Sequence, residues 1–231
     1  MRQIVLDTET TGFEPESGDR IVEIGAVELL NHLPSGRTYH QYINPERSMP
    51  QGAFEVHGLG DEFLADKPVF KTIAQDFLNF VQDSRLVIHN ASFDMKFLNA
   101  ELKWAGHPML PMDQALDTLA IARKKFPGSP ASLDALCRRF GIDNAARTLH
   151  GALLDSEILA EVYLELIGGR QPGLVLSESR KKSDDGQVSD DDWRAGPRPG
   201  SLPTRLTSEE AEAHEAFLAK LGEDALWRKF S

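Results

Sequence analysis

Two acidic residues, Asp7 and Glu9, follow a short apolar run at the start of the chain. Residues two apart in a β-strand lie on the same face, so these two carboxylates could share a metal cation. In a chain this rich in acids, a solvated strand edge is the alternative explanation. The apolar strand before the pair and the Thr-Thr-Gly sequence at residues 10–12 favour a position at the mouth of a sheet.

A third acid, Asp94, follows the apolar segment 86–88 and the polar residues His89 and Asn90. This pattern indicates a buried strand that ends where a helix begins. On position alone, Asp94 would be an acid near a helix N-terminus, stabilised by a few tenths of a kcal/mol through the helix dipole. His89 and Asn90 could be ligands, but hydrogen bonding at the strand end is the expected role of each.

The third candidate pair is His150 and Asp155. Five residues along a helix correspond to about 140° of rotation, so the two would not share a helical face. The sequence therefore predicts His150 on the loop before a helix and Asp155 within it. Asp155 lies between Leu154 and Ile158, where an unpaired carboxylate is costly unless it meets a cation.

Together these five side chains fit a site for phosphoryl transfer with two metal ions. Carboxylate oxygens are the ligands that Mg²⁺ prefers, and two such ions about 3.5–4 Å apart can serve an in-line displacement. Histidine exchanges protons near neutral pH and suits removal of a proton from water. The chain has 25 Lys and Arg against 36 Asp and Glu, a net charge of −11, and −9 of it lies in the first 168 residues. Metal ions would supply the positive charge that such a surface lacks.

Composition places the chain among ordinary globular proteins. It has 231 residues, of which 41% are hydrophobic and 26% charged. No apolar run approaches the roughly 20 residues that a membrane span needs, and an acid at position 7 argues against a signal peptide. The single cysteine, Cys137, allows no internal disulfide and fits a reducing compartment. We therefore expect a cytoplasmic protein with no membrane partner.

The order of the elements predicts an α/β fold. Strands are expected at 2–7, 20–30, 38–43 and 86–88, with the first three as antiparallel neighbours. Apolar spacing of three and four predicts helices at 70–80, 92–104, 114–124, 131–140 and 151–167, the fourth with Ser129 and Pro130 as its starting signal. These elements form a mixed sheet flanked by helices, and Gly168 and Gly169 end the last helix.

Beyond residue 169 the composition changes. Residues 177–205 contain few apolar side chains and predict a flexible linker. Thr207 and Glu210 predict a capping box that opens a final helix in the segment 206–231. Its apolar side chains are Phe217, Leu218, Leu221, Leu226, Trp227 and Phe230. A short amphipathic helix after a linker is typical of a docking peptide.

Three motifs in this order resemble those of the DEDDh family of 3′→5′ exonucleases: DTETTG at 7–12, HNASFD at 89–94 and HGALLD at 150–155. Further segments are similar to the proofreading branch of that family, which serves bacterial DNA polymerase III. These segments are VHGL at 56–59, FPG at 126–128, SLDALC at 132–137, TLHGALLD at 148–155, TSEEAEAHEA at 207–216 and LWR at 226–228. The resemblance implies a ribonuclease H-like fold over residues 1–169.

The resemblance also implies a role for each site residue. Asp7, Glu9 and Asp155 would bind two divalent ions, Mg²⁺ or Mn²⁺, while Asp94 completes the acidic set and His150 is the general base. The main-chain groups of Thr8 to Thr10 would hold the DNA primer 3′ end, together with the side chains of Glu9, Asp155 and His57. For His57, packing on Phe54 or Phe63 in a loop is the alternative.

Partners follow from the same resemblance. The final helix would bind the polymerase (alpha) subunit of DNA polymerase III. Gln171, Leu174 and Leu176, within the segment 170–176, resemble a peptide that binds the sliding clamp, with ordinary packing at a helix end as the alternative. The resulting hypothesis is a proofreading 3′→5′ exonuclease that removes mispaired nucleotides. A 3′→5′ exoribonuclease of the same superfamily and a catalytically silent scaffold between polymerase and clamp are the alternatives.

Overall fold

Five strands form a mixed sheet in the order β3-β2-β1-β4-β5 in the computed structural model, which describes residues 1–145, 149–169 and 207–221. The strands are β1 (Arg2–Thr10), β2 (Ile21–Leu30), β3 (Leu33–Tyr42), β4 (Arg85–Ile88) and β5 (Ala115–Asp117). β2 is antiparallel to both β1 and β3, whereas β4 is parallel to β1 and to β5. The central strand β1 therefore ends at the same sheet edge as β4, and this edge carries the motif residues of both.

Among residues 1–145 and 149–169, seven α-helices accompany the sheet. They are α1 (Gln51–His57), α2 (Asp61–Leu64), α3 (Phe70–Val81), α4 (Ala91–Ala105), α5 (Thr118–Lys125), α6 (Leu133–Phe140) and α7 (Ala152–Leu166). Within the described ranges, no helix combines the length and the apolar character that a membrane crossing requires.

The two faces of the sheet pack against different helices. Ile4 and Leu6 of β1 belong to a core that also contains Phe77 of α3 and Leu98 of α4. Val5, between them in sequence, faces the other way and packs with residues of α7. This alternation decides on which side of the sheet each side chain of the first motif lies.

The predicted strands and helices correspond to β1–β4 and α3–α7, whereas β5, α1 and α2 are not predicted. The helix expected at 114–124 begins at Thr118, because Ala115–Asp117 instead pairs with β4 as the edge strand β5. A three-residue strand is too short to show an alternating pattern, so the sequence does not separate β5 from the helix that follows it. Ser129 and Pro130 also do not start the next helix, since Ser132 caps α6 by accepting from the Ala135 amide at 3.3 Å.

The second unit contains α8 (Ser208–Leu221). Its predicted capping box is confirmed: the Thr207 amide donates to Glu210 Oε2 at 2.9 Å, and the Glu210 amide donates to Thr207 Oγ1 at 3.3 Å. The predicted clamp-binding peptide with Gln171, Leu174 and Leu176, the linker at 177–205 and the segment after Leu221 lie outside the described residues.

Candidate active site

The five residues proposed from the motifs line one cavity of about 630 Å³. Asp7 and Glu9 come from β1, Asp94 from the first turn of α4, and His150 and Asp155 from the start of α7 and the loop before it. The carboxyl end of the central strand thus brings together three segments that are far apart in sequence. The structure brings the four acids and the histidine to one cavity, and the role of each stays a prediction.

Strand β1 distributes its polar side chains to both faces of the sheet. Asp7 and Glu9 continue the α7 face that Val5 occupies, while Thr8 continues the opposite face with Ile4 and Leu6. A register shift between Glu9 and Thr10 ends the regular pairing with β2 at this point. Such irregularities re-aim the chain next to many active sites.

Gly25 allows α7 to approach the sheet beside the acids. It is the partner of Asp7 in the β1–β2 register, and a Cβ added to it would lie 2.2 Å from the carbonyl carbon of Ala152. The Ser156 hydroxyl donates to the Gly25 carbonyl at 2.9 Å. The first turn of α7 is therefore seated on the backbone of β2, and Asp155 lies in that turn.

Glu9, His150 and Asp155 form the tightest group of potential metal ligands among the described residues, with one ligand atom of each within 4.8 Å of the others. His150 Nδ1 lies 3.4 Å from Asp155 Oδ2. Asp155 is buried, whereas the His150 side chain is 48% exposed. The resemblance implies Asp7, Glu9 and Asp155 as the metal ligands. Asp7 lines the same cavity but does not belong to this close group, which contains His150.

Asp94 is held in an enclosed position. It is 3% exposed, and its Oδ1 accepts a 2.7 Å hydrogen bond from the Thr8 hydroxyl. Burial raises the pKa of the Asp94 carboxyl to about 7, although the bond from Thr8 acts in the opposite direction. A buried carboxylate beside further acids is stabilised by a nearby cation, so this donor set fits a hard divalent ion. Asp94 therefore has contacts beyond the helix-terminus interaction that its position alone predicts.

A second cavity of about 640 Å³ adjoins the first and shares Thr8, Glu9, Phe13 and Phe93 with it. Thr10 and His57 line its wall. His57 is the last residue of α1 and is 6% exposed. Its Nδ1 accepts from the Leu59 amide at 3.0 Å, and burial lowers the pKa of its imidazole.

The alternative for His57 places it in a loop, packed on Phe54 or Phe63, whereas the structure places it at the end of α1. Phe63 instead makes an edge-to-face contact with Tyr42, with ring centroids 4.9 Å apart. His57 faces a cavity from the end of a helix, and the nearby main chain of Thr10 partly offsets the effect of burial on the imidazole pKa.

Helix α1 is bonded to the loop that carries His150. The His150 amide donates to the Val56 carbonyl at 3.1 Å. Gly58, at φ 76°, lies so close to Leu149 that an added Cβ would be 2.8 Å from its Cδ1 atom. Val56, which lines the second cavity, is therefore directly bonded to His150, which lines the first.

His89 and Asn90 have the strand-end roles expected of them. His89 Nδ1 lies 2.9 Å from Thr118 Oγ1, and the Asn90 amide donates to Asp117 Oδ1 at 3.0 Å. Both bonds tie the end of β4 to the end of β5. Asn90 also begins α4 with a positive φ of 65°, which asparagine tolerates better than most residues.

Two contributors to the site were not anticipated from sequence. The Thr8 side chain bonds Asp94, although only its main chain was expected to act, and Gly25 admits α7. A glycine inside an apolar strand is a known sign of close backbone approach, so Gly25 could have been singled out. The Thr8 contact had no comparable signal, because it joins two segments 86 residues apart.

Comparison with known proteins agrees with this geometry. The family model described as "Exonuclease" matches residues 4–163. DNA polymerase III subunit epsilon of Rickettsia felis is 49% identical over 224 residues, covering 96% of this chain and 97% of the relative. The Escherichia coli K12 protein of the same name is 44% identical over 238 residues, covering 98% and 97%.

Solved structures show the same fold. The nuclease domain of 3′hExo, a DEDDh family member bound to rAMP, has a TM-score of 0.63 at 20% identity and covers 72% of this chain and 91% of its own. Exonuclease X in complex with 5′ overhanging duplex DNA has a TM-score of 0.55 at 25% identity, covering 71% and 90%. The covered share of this chain, 71–72%, corresponds in length to the unit that contains the sheet and the site. The chain therefore belongs to the exonuclease family and, within it, to the DNA polymerase III epsilon subunits, the proofreading 3′→5′ exonucleases.

Proposed function

We propose that this chain hydrolyses the terminal phosphodiester of a DNA primer 3′ end with two divalent ions held by Asp7, Glu9 and Asp155. The observation that carries the proposal is the convergence of four carboxylates and one histidine on a single cavity at the end of β1. An arrangement of this kind, with hard oxygen ligands beside a base, suits phosphoryl transfer to water.

The cations in the proposal are Mg²⁺ or Mn²⁺, since both favour carboxylate oxygen. When bound, they would supply positive charge to the phosphate oxygens and make an attacking water more acidic. Glu9 and Asp155 face each other closely enough to share a ligand position. Asp94 adds its negative charge from the opposite side of β1, where the Thr8 hydroxyl fixes its orientation.

His150 is the proposed general base. Its side chain is half-exposed, so it can exchange a proton with solvent after each turnover. Its Nδ1 lies 3.4 Å from Asp155 Oδ2, and this contact would orient the ring for removal of a proton from water. The bond from its amide to the Val56 carbonyl holds the base at the cavity rim.

The second cavity is the proposed seat of the terminal nucleotide. The main chain of residues 8–10 and the His57 imidazole would hold the 3′ end there, while Glu9 and Asp155 lie beside the scissile phosphate. Its wall includes apolar side chains such as Val56 and Phe93, which suit a nucleobase of any identity. Preference for a mispaired end then arises because an unpaired terminus costs less to separate from its template.

Binding to the polymerase (alpha) subunit through the C-terminal helix completes the proposal. In support, α8 exposes 57% of Phe217, and the relatives carry the name of a DNA polymerase III subunit. Tethering also answers how a protein with a net charge of −11 meets DNA, because it raises the local concentration of primer ends. The clamp contact proposed for Gln171, Leu174 and Leu176 would act in the same way.

The test is hydrolysis of an end-labelled primer–template with a terminal mismatch. We expect stepwise loss of 3′ nucleotides with Mg²⁺, and no loss with chelator or in the double variant Asp7→Ala/Glu9→Ala. A primer–template with a matched 3′ end and an RNA oligonucleotide serve as comparison substrates in the same assay. Cleavage of RNA alone would contradict the DNA assignment, and equal rates on matched and mismatched ends would contradict the fraying argument.

A further inference from the structure

Positive charge is scarce around the proposed site. Among the described residues that line the two cavities, Arg123 of α5 is the only lysine or arginine. A single DNA strand brings one negative charge for each nucleotide, and the neighbouring surface is acidic. An arginine at this position is therefore well placed to affect how the strand binds.

Other cations near the second cavity are already paired. Lys96 Nζ lies 2.5 Å from Glu14 Oε2, and Arg47 Nη1 lies 2.8 Å from Asp19 Oδ1. Glu14 and Asp19 both line that cavity, so these two pairs neutralise its acids. Arg123 makes no ion pair with any residue in the ranges that the structure describes.

Arg123 lines the first cavity but is not among the residues that line the second. Leu119, one turn earlier on α5, lines the same wall, so this face of the helix is turned towards the cavity. Ser132, the N-cap of α6, lines the same region. One acid, Asp134, is also there, and Asn144 Nδ2 donates to its Oδ1 at 3.0 Å.

The charge of Arg123 reaches the cavity interior. Burial is the main reason that the pKa of the His89 imidazole is lowered, and the positive charge of Arg123 contributes in the same direction. His89 lines the first cavity at the end of β4. The positive charge of the guanidinium is thus close enough to interact with groups that line the cavity.

We infer that Arg123 binds a backbone phosphate of the DNA strand on the 5′ side of the scissile bond. The inference rests on the proposed function: with the terminal nucleotide in the second cavity and the scissile phosphate beside Glu9 and Asp155, the preceding nucleotide enters the part of the first cavity that Arg123 lines. An arginine fork there would donate two charge-assisted hydrogen bonds to the oxygens of one phosphate without reading the base.

Two substrates separate this role from a general effect on the site. A short oligothymidylate has phosphates upstream of the scissile bond, whereas the 4-nitrophenyl ester of thymidine 5′-monophosphate has none. For full-length Arg123→Ala with Mg²⁺, we expect KM for the oligonucleotide to rise about tenfold with little change in kcat. Hydrolysis of the ester should be unchanged.

Salt dependence gives a second measurement. Loss of one phosphate contact should reduce the slope of log(kcat/KM) against log salt by about 0.7 on a single strand. Lys124→Ala is the matched control, because it removes a neighbouring exposed cation that lines neither cavity. Arg123→Lys should retain most of the salt slope, since it keeps the charge but not the fork.

The outcomes are distinguishable. Equal losses on the ester and the oligonucleotide, or equal effects of Arg123→Ala and Lys124→Ala, would overturn the phosphate contact. If the unaltered protein cleaves neither substrate, the proposed function itself fails, whatever Arg123 does.

Discussion

The α-carbon of Gly25 lies so close to the main chain of Leu153 that an added Cβ would be 2.1 Å from its nitrogen. Both atoms belong to backbone, so no side chain can rotate away to make room. The substitution Gly25→Ala must therefore push the first turn of α7 off the sheet, and Asp155 with it.

We expect Gly25→Ala to lower exonuclease turnover by about a hundredfold, since a displacement near 1 Å is enough for such a loss. It should also reduce the free energy of unfolding by about 1–3 kcal/mol through overpacking. Gly151→Ala is the control, because a Cβ there meets no atom within 4 Å. Turnover on a labelled single strand and urea unfolding check both effects, and equal behaviour of the two variants would contradict the argument.

The bond between Thr8 and Asp94 gives a second prediction. Thr8→Val keeps the shape of the side chain but removes the hydroxyl that donates to Asp94 Oδ1. We expect about a tenfold loss of turnover, because the carboxylate is no longer held in one orientation. Thr8→Ser, which restores the donor, should recover most of the rate. A serine variant as slow as the valine variant would show that packing of the methyl group matters instead.

Removal of the His150 side chain distinguishes a general base from a metal ligand. His150→Ala should lower turnover by about 10²–10⁴-fold while leaving most of the affinity for Mn²⁺ intact. The distinction is needed because His150 also belongs to the close group with Glu9 and Asp155. Calorimetric titration of the variant with Mn²⁺ measures the affinity directly. A loss of metal binding as severe as that of Asp155→Ala would assign His150 to the ligand set.

The sequence was most informative where the chemistry needs fixed residue types. The motif acids and His150 were named from spacing and resemblance, and β1 and β4 were found from their apolar runs. Helix α1 was not predicted, because its seven residues contain only three apolar side chains and show no helical period. The contact of Gly25 with α7 arises only when residues 128 positions apart meet, which local patterns do not encode.

Acid sensitivity of the fold can be predicted at the far end of the sheet. Glu28, 3% exposed, accepts from the Ser35 hydroxyl at 2.7 Å and from Arg2 Nε at 2.5 Å. The Ser35 bond, followed by the Arg2 bond, holds the pKa of the Glu28 carboxyl below its usual value of 4.5. The stability that Glu28 contributes is thus complete above about pH 4.5 and is lost as the pH falls through the lowered value.

For Glu28→Gln we expect a loss of about 1–2 kcal/mol in the free energy of unfolding at pH 7. The difference from the unaltered protein should shrink as the pH is lowered through the range below 4.5. Urea unfolding at several pH values measures it. Asp66→Asn is the control for loss of an exposed ion pair: Asp66 is 77% exposed and pairs with Lys67, so solvent screening should leave the free energy of unfolding nearly unchanged. A constant difference across the pH range would exclude the titration of Glu28 as its cause.

The polymerase contact can be tested in the full-length chain. Phe217→Asp places a charge on the exposed aromatic of α8 and should weaken binding to the polymerase subunit at least tenfold. Cleavage of a free single strand should be unaffected. Ala219→Asp introduces the same charge on another side of the helix and controls for helix stability. If both variants bind equally well, the contact does not use Phe217.

The position of α7 in the chain has a consequence for biosynthesis. Asp155 comes from the last helix of the unit that holds the sheet, and this helix is seated on the central strands only after nearly all of that unit has been made. A ribosome-bound fragment that ends before residue 152 holds Asp7, Glu9 and Asp94 but lacks their fourth carboxylate. With the proposed assignment of the four carboxylates, we expect the growing polypeptide to lack nuclease activity until α7 has been synthesised and has packed on the sheet.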